Sequence, residues 1–225
     1  MNHSQFIQKL SQCLGRPLPS EPPSKPKWQL PAYNLANQDE RVATFLEKWQ
    51  NLGGQGKRAN SPQAAAAILQ TWFGNPKPPW LTSTQSILAW TLPEFAEETF
   101  AELGWPLTRY ALIEGGTSVR ARAAAISELG VTSADWGIAR SGSLVLKSSS
   151  GRGRAVSLLP PRHLVFLPAA AVLDDLIALM EQLLNSGIPP AALELITGPS
   201  RTSDIEMDLS IGVHGPIEVY VLITP

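Results

Sequence analysis

Leu193-Glu194-Leu195-Ile196-Thr197 is followed by Gly198-Pro199-Ser200-Arg201-Thr202-Ser203-Asp204-Ile205-Glu206, then by Gly212-Val213-His214-Gly215-Pro216, and the chain closes on Glu218 to Thr224. The first five residues form a short apolar run bounded by a Gly-Pro turn, the pattern of a buried strand. The last seven alternate and read as a second strand. The polar run therefore lies between strands. Its hydroxyls, guanidinium and free backbone N–H groups suit an anion at a helix N-terminus. The same residues also suit plain capping: Thr202 or Ser203 is expected to cap a helix starting near Asp204, with Glu206 completing a capping box. Both readings stand on sequence alone.

Working back toward the start, Leu164 to Leu167 predicts a buried strand ending at Pro168, and Ala169 to Asn185 a helix with Leu173, Leu176, Ile177, Met180 and Leu184 inward. Trp136 to Ala139 and Leu144 to Lys147 read as strands flanking Arg140-Ser141-Gly142-Ser143, and Gly151 to Arg154 as a tight turn. Leu107 to Ile113 is strand-like, and Gly115-Gly116-Thr117, a weak phosphate-loop candidate, reads first as an ordinary turn into a helix carrying Ala121 to Leu129. Helices are expected over Asn37 to Leu52, Ala64 to Phe73 after the Ser61-Pro62 cap, and Thr84 to Leu103 with a break at Pro93, with a brief strand at Trp80-Leu81. Ser4 to Leu14 predicts a short amphipathic helix, and six prolines between Pro17 and Pro31 an extended arm. Strands alternating with helices predict an α/β sheet flanked by helices. The organisation expected is an N-terminal helix and Pro-rich arm over residues 1–35 and one α/β domain over 36–225.

Composition narrows the function. With 225 residues, 44% of them hydrophobic, the chain can bury a proper core. A net charge of −1 gives no general attraction to nucleic acid or an anionic membrane. A single cysteine, Cys13, and histidines only at 3, 163 and 214 leave too few soft ligands for a zinc or iron–sulfur site, so no cofactor is expected. No signal peptide and no stretch of about 18 apolar residues is evident. A cytoplasmic protein is expected.

Charge is nevertheless uneven. Arginines 120, 122, 140, 152, 154 and 162 with Lys147 face only Glu128 and Asp135 between residues 120 and 162, a local charge of +5. Arginine forks bind phosphate or carboxylate, and loops beyond the carboxyl ends of strands are where α/β proteins bind ligands. The same charges on a solvated face would bind nothing. The ligand-binding reading places a small anionic ligand among Arg140, Ser141, Gly142, Ser143, Arg154, Gly198, Ser200, Arg201, Thr202, Ser203, Asp204, Glu206 and His214. His214 is either an acid–base group or a structural histidine bonded to Asp204 or Glu206. His163, opening a buried strand, reads as structural. No Ser-His-Asp order or nucleophile elbow is evident, so no catalytic residue is assigned.

Four ordered segments carry a family resemblance: Gly130-Val-Thr-Ser-Ala-Asp, Ala139-Arg-Ser-Gly-Ser-Leu-Val-Leu, Ser157-Leu-Leu-Pro-Pro-Arg-His, and Gly198 to Glu206 with Gly212 to Pro216. Together they resemble the lactate utilization protein C family, or LUD-domain proteins. The resemblance implies a NagB/RpiA/CoA-transferase-like layered sheet and a role beside iron–sulfur subunits that oxidise L-lactate to pyruvate, this chain being the accessory or regulatory component. The family's usual Ala-Glu-Thr-Gly-Thr is here Ala139-Arg140-Ser141-Gly142-Ser143, a guanidinium in place of a carboxylate. Two other functions are compatible with the residues: a stand-alone enzyme acting on a phosphorylated or acyl-carrying small molecule, and a ligand-sensing module without chemistry.

Overall fold

A computed structural model describes residues 3–15, 33–185, 190–203, 209–211 and 215–225, with backbone alone for 3–4, 201–203 and 209–211. It divides into two units, Met1–Ala32 and Tyr33–Pro225. In the first, α1 (His3–Leu14) carries Phe6, Leu10 and Leu14 on an exposed apolar stripe.

The second unit opens with α2 (Gln38–Asn51), β1 (Gln55–Arg58), α3 (Pro62–Phe73), β2 (Ile87–Ala89), α4 (Glu94–Leu103) and β3 (Thr108–Arg109). It continues through α5 (Thr117–Ala125), β4 (Leu129–Ser133), β5 (Trp136–Ile138), β6 (Ser143–Lys147), α6 (Ala155–Leu158) and β7 (Arg162–Pro168). β8 (Val172–Leu173), α7 (Leu176–Asn185), β9 (Leu193–Ile196), β10 (Arg201–Ser203), β11 (Leu209–Ile211) and β12 (Glu218–Thr224) complete it. Local chemistry sets the helix starts. The Asn37 side chain accepts from the Glu40 N–H at the head of α2, and Ser61 from the Ala64 N–H at the head of α3, where Pro62 occupies the first turn.

Six parallel strands form the central sheet in the order β1-β12-β7-β4-β2-β3. Both of its faces are buried, and side chains two apart go to the same face. Leu88, Val165, Leu167, Val219, Val221 and Ile223 pack with Phe45 and Trp49 of α2, Ala124 of α5 and Val156 of α6. Ile87, Ala89, Leu129, Val131, Leu164, Phe166, Tyr220 and Leu222 pack with Leu69 and Phe73 of α3 and Phe100 of α4. The expected α/β class with helices flanking the sheet is what the chain adopts.

A second sheet, β8-β5-β6-β9, is mixed. Leu144 and Leu146 of β6 join the large core, whereas Val145 and Ile138 face Leu179 of α7. Among the described residues β10 and β11 pair only with each other. The two strands expected to bracket the polar run thus belong to different sheets, β9 to the small one and β12 to the central one.

Several expectations are corrected. Thr84 to Leu103 is not one helix: Ile87 to Ala89 is a strand, because a buried apolar run of this length fits either period and the neighbours β3 and β4 supply ladder partners on both sides. Pro93 then caps α4. Trp80 sits in a turn and not a strand, and the helix over Ala121 to Leu129 stops at Ala125 so that Leu129 opens β4. Ala169 to Asn185 is broken. Val172 and Leu173 pair with β5, and the Asp175 carboxylate caps the shorter α7 by accepting from the Ile177 and Ala178 N–H groups. Leu179 turns inward while Leu176, Ile177, Met180 and Leu184 are exposed, since a nearly all-apolar helix gives the pattern no face to choose. β1, with the polar sequence Gln-Gly-Lys-Arg, was not expected; it is an edge strand held by its backbone ladder to β12.

One close approach depends on glycine. A Cβ on Gly130, in β4, would sit well inside contact distance of the Val156 carbonyl oxygen in α6. Gly130→Ala is therefore expected to lower the unfolding free energy by about 1–3 kcal/mol, as overpacking does. Urea denaturation checks this, and an unchanged midpoint would show that α6 yields freely.

Candidate functional site

The turn between β5 and β6 meets the end of β9. Ser141 Oγ is 2.8 Å from Ser143 Oγ, which is 2.8 Å from Thr197 Oγ1, so three hydroxyls link the two segments that sequence had singled out. Ser143 is buried, and Ser141 and Thr197 are exposed. Gly142 makes the turn possible at φ +63, and a Cβ there would lie 2.8 Å from the Trp49 nitrogen. Gly198, at φ +97, lies against the Leu52 carbonyl oxygen at the end of α2. Ser200 donates its N–H to Pro216 O at 2.9 Å, drawing the segments on either side of the hairpin strands together. Arg140 is exposed; its N–H donates to Asp174 O and its guanidinium lies 5.3 Å from the centre of the Tyr33 ring.

Arg201, Thr202 and Ser203 form β10, paired with β11, so Thr202 and Ser203 are extended ladder residues and not helix caps. Asp204, Glu206 and His214 lie outside the described residues, as does the helix expected to begin near Asp204. Arg154 does not join the hydroxyl chain. It precedes α6, near Glu194 at the opposite end of β9 from Thr197, three residues and roughly 10 Å along the strand.

Sheet topology defines a different crevice. From β2 the chain steps outward to β3, then returns across β2 to β4, so a switch point falls between the carboxyl ends of β2 and β4. The turn after β6 fills it with Arg152. Its two terminal nitrogens donate to the two oxygens of Asp135 at 3.0 and 2.9 Å, one also reaches Ser133 O at 2.9 Å, and the guanidinium lies 4.5 Å from the Trp90 ring centre. Asp135 accepts from the Lys147 N–H at 2.7 Å as well. Arg162 is likewise paired, with Glu128 and Glu218, and Arg120 donates to Ile113 O. Much of the local excess of positive charge is spent inside the fold. Among the described residues neither Arg140 nor Arg154 has a carboxylate within ion-pair distance.

Glu194 is the residue that sequence reasoning missed. It shares a strand face with Ile196, which packs on the large core, whereas Leu195 between them is exposed. A carboxylate on the inward side of an apolar strand was the available signal. Ser157 Oγ lies 2.7 Å from Glu194 Oε2, and the other carboxyl oxygen is buried without a partner. Burial pushes the Glu194 pKa up, against the Ser157 contact and the Arg154 charge, which pull it down.

Among the described residues no three His, Cys, Asp or Glu side chains converge as a metal would require, and no helix is long and apolar enough to cross a membrane. Cavities of about 450 and 290 Å³ open elsewhere, beside Leu81 and Trp105 and between β2 and α5.

His163, in β7, is fully buried with Nε2 2.9 Å from Thr132 Oγ1, a structural position as expected. Burial lowers its pKa from 6.5 to about 3. Below pH 6.5 the unfolded chain takes up a proton that the folded chain refuses, so the contribution to stability is complete above 6.5 and is lost toward 3. The wild type should accordingly lose about 1.4 kcal/mol per pH unit relative to His163→Gln as pH falls from 6.5 toward 4.5. Parallel stability curves for the two proteins would contradict this.

Comparison with known proteins agrees with this architecture. The LUD domain family model matches residues 42–224. Lactate utilization protein C of Shouchella clausii (strain KSM-K16) is 30% identical over 99% of this chain and 97% of its own length. Lactate utilization protein C 1 of Bacillus mycoides (strain KBAB4) is 30% identical over 99% and 96%. A DUF162 family protein from Deinococcus radiodurans shares the fold, with a TM-score of 0.58 at 15% identity over 85% of this chain and all of that one. With the family model matched from α2 to the last strand and relatives aligned end to end, the chain belongs to the LUD-domain family.

Proposed function

We propose that this chain acts in lactate utilization, as an accessory or regulatory subunit that binds a small anion and works beside iron–sulfur proteins converting lactate to pyruvate in the cytoplasm. The observation that carries the reading is the nearly full-length match to proteins named lactate utilization protein C. Electron transfer would fall to the partners, because one cysteine cannot hold a cluster. The N-terminal region over residues 1–35, with the amphipathic helix and Pro-rich arm, is proposed to engage those partners.

The anion site is proposed where the Arg140 turn meets the Thr197 to Ser203 segment. Two features support it. The guanidinium of Arg140 rests on Tyr33 with no carboxylate partner among the described residues, so its charge remains to be matched. Ser141, next to Arg140 in sequence, and Thr197 are exposed residues whose hydroxyls are joined through Ser143. Arg201 follows on the same segment, and two arginines with hydroxyls offer a carboxylate or phosphate the donors it needs.

Loss of one charge-assisted contact of this kind costs about 1.5–3 kcal/mol, roughly ten- to a hundredfold in affinity. Thermal shift at low salt with lactate, pyruvate, inorganic phosphate and an acyl-CoA is expected to give a shift for at least one of them in the wild type. Arg140→Ala and Arg201→Ala should each lose it while melting at the wild-type temperature without ligand. Identical shifts in all three proteins would remove the anion site.

A further inference from the structure

The contact between Glu194 and α6 poses a problem of counting protons. Ser157 Oγ has one hydrogen, yet it lies 2.7 Å from Glu194 Oε2 and 2.9 Å from the Arg154 carbonyl oxygen. A carbonyl can only accept, so the Ser157 proton goes to Arg154 O if that bond is made. An ionised Glu194 can also only accept, and Ser157 would then face two acceptors with a single donor. Protonating Glu194 resolves the conflict: the carboxylic acid donates from Oε2 to Ser157 Oγ, and Ser157 donates onward to Arg154 O.

Two independent features agree. Glu194 Oε1 is buried with no partner, which is tolerable for the carbonyl oxygen of a neutral acid and costly for half of a carboxylate. Arg154 is near enough to influence Glu194 electrostatically, yet the two make no ion pair within 4.0 Å. A charged Glu194 beside an exposed, movable guanidinium would be expected to close that gap.

We propose that Glu194 in its protonated form acts as a proton-dependent latch between β9 and α6, through the relay Glu194 to Ser157 to the Arg154 carbonyl. Other charged groups are accounted for. On β6, Leu146 is the residue opposite Glu194, and its neighbour Lys147 is opposite Leu193. The Lys147 ammonium lies over Trp136 and 3.5 Å from Asp135, which also holds Arg152. Among the described residues Arg154 is thus the cation left to receive the carboxylate when the proton leaves. Ionisation strands a charge on Oε1 and draws Glu194 out toward Arg154, loosening the strand that runs into Thr197 and Gly198. The proposal does not depend on the lactate reading; it would hold for this chain whatever its ligand.

The test uses the full-length protein and its Glu194→Gln and Glu194→Ala variants. Gln keeps a donor for Ser157 and carries no charge at any pH. The unfolded wild type releases the Glu proton at about pH 4.3, whereas the folded protein keeps it, so wild-type stability falls as pH rises through the interval between the two ionisations. Urea unfolding from pH 4 to 9 should show Glu194→Gln matching the wild type at the acid end and exceeding it progressively above. Glu194→Ala should be less stable than Glu194→Gln throughout. Carbon-13 titration of the Glu194 carboxyl should give a midpoint above the ordinary glutamate range. A midpoint at or below about 4.3 would overturn the proposal, and so would a Glu194→Gln protein as destabilised as Glu194→Ala at pH 8, because either result requires a carboxylate that is stabilised by its charge.

Discussion

The ion pair of Asp135 and Arg152 is the junction on which the two sheets depend. Asp135 follows β4, the strand that places it at the carboxyl end of the central sheet, and its N–H donates to Val145 O of the smaller sheet. Its carboxylate then accepts from the Lys147 N–H on that same second sheet and from both terminal nitrogens of Arg152. Arg152 returns to the central sheet through Ser133 O and the face of Trp90, whose indole N–H donates to Gly153 O. Two half-buried charges would be costly apart. Paired in a fork and resting on an indole, the two charges offset each other, with Arg152 Nε left buried and unpartnered among the described residues.

That junction has a functional consequence. The crevice at the switch point is where a parallel sheet would ordinarily take a ligand, and here the protein's own guanidinium occupies it. The open polar surface lies instead on the smaller sheet, at the turn before β6 and the end of β9, where Ser141, Ser143 and Thr197 meet. The two ends of β9 carry different chemistry: exposed hydroxyls near the Arg140 turn, and the buried Glu194 carboxyl against α6. A single short strand connects them, which gives a physical route from the protonation of Glu194 to the position of Gly198.

Sequence made the outer parts of this architecture legible and left the middle obscure. Leu164 to Leu167 reads as a strand because it is an apolar run stopped by Pro168, and Glu218 to Thr224 by its alternation, although both faces of that strand are buried; α2 reads as a helix from its one apolar face and α3 from the Ser61-Pro62 start. Ile87 to Ala89 and Val172 to Leu173 are too short for periodicity, and only their ladder partners decide them. α7 shows the opposite difficulty, since its composition is so uniformly apolar that no pattern distinguishes the face carrying Leu179 from the face carrying Met180. Of the site, the grouping of Ser141 and Ser143 with the stretch after Ile196 was visible as two polar segments following strands. By sequence Arg152 belongs to a positive patch, because its partner Asp135, seventeen residues away, is brought to it only by the hairpin of β5 and β6. Glu194 went unnoticed because one charge in an apolar run looks like the solvent-facing residue, whereas the fold exposes Leu195.

Work beside electron-carrying partners in lactate utilization is what is proposed for this LUD-domain chain. Affinity isolation of the full-length protein from its native cell extract under anaerobic conditions, followed by iron and acid-labile sulfide analysis of the eluate, tests it most directly. The expected result is co-purifying proteins that contain iron–sulfur clusters and an eluate that reduces an artificial electron acceptor when L-lactate is added. Recovery of the chain alone, or with partners lacking clusters and lactate-dependent reduction, would contradict it.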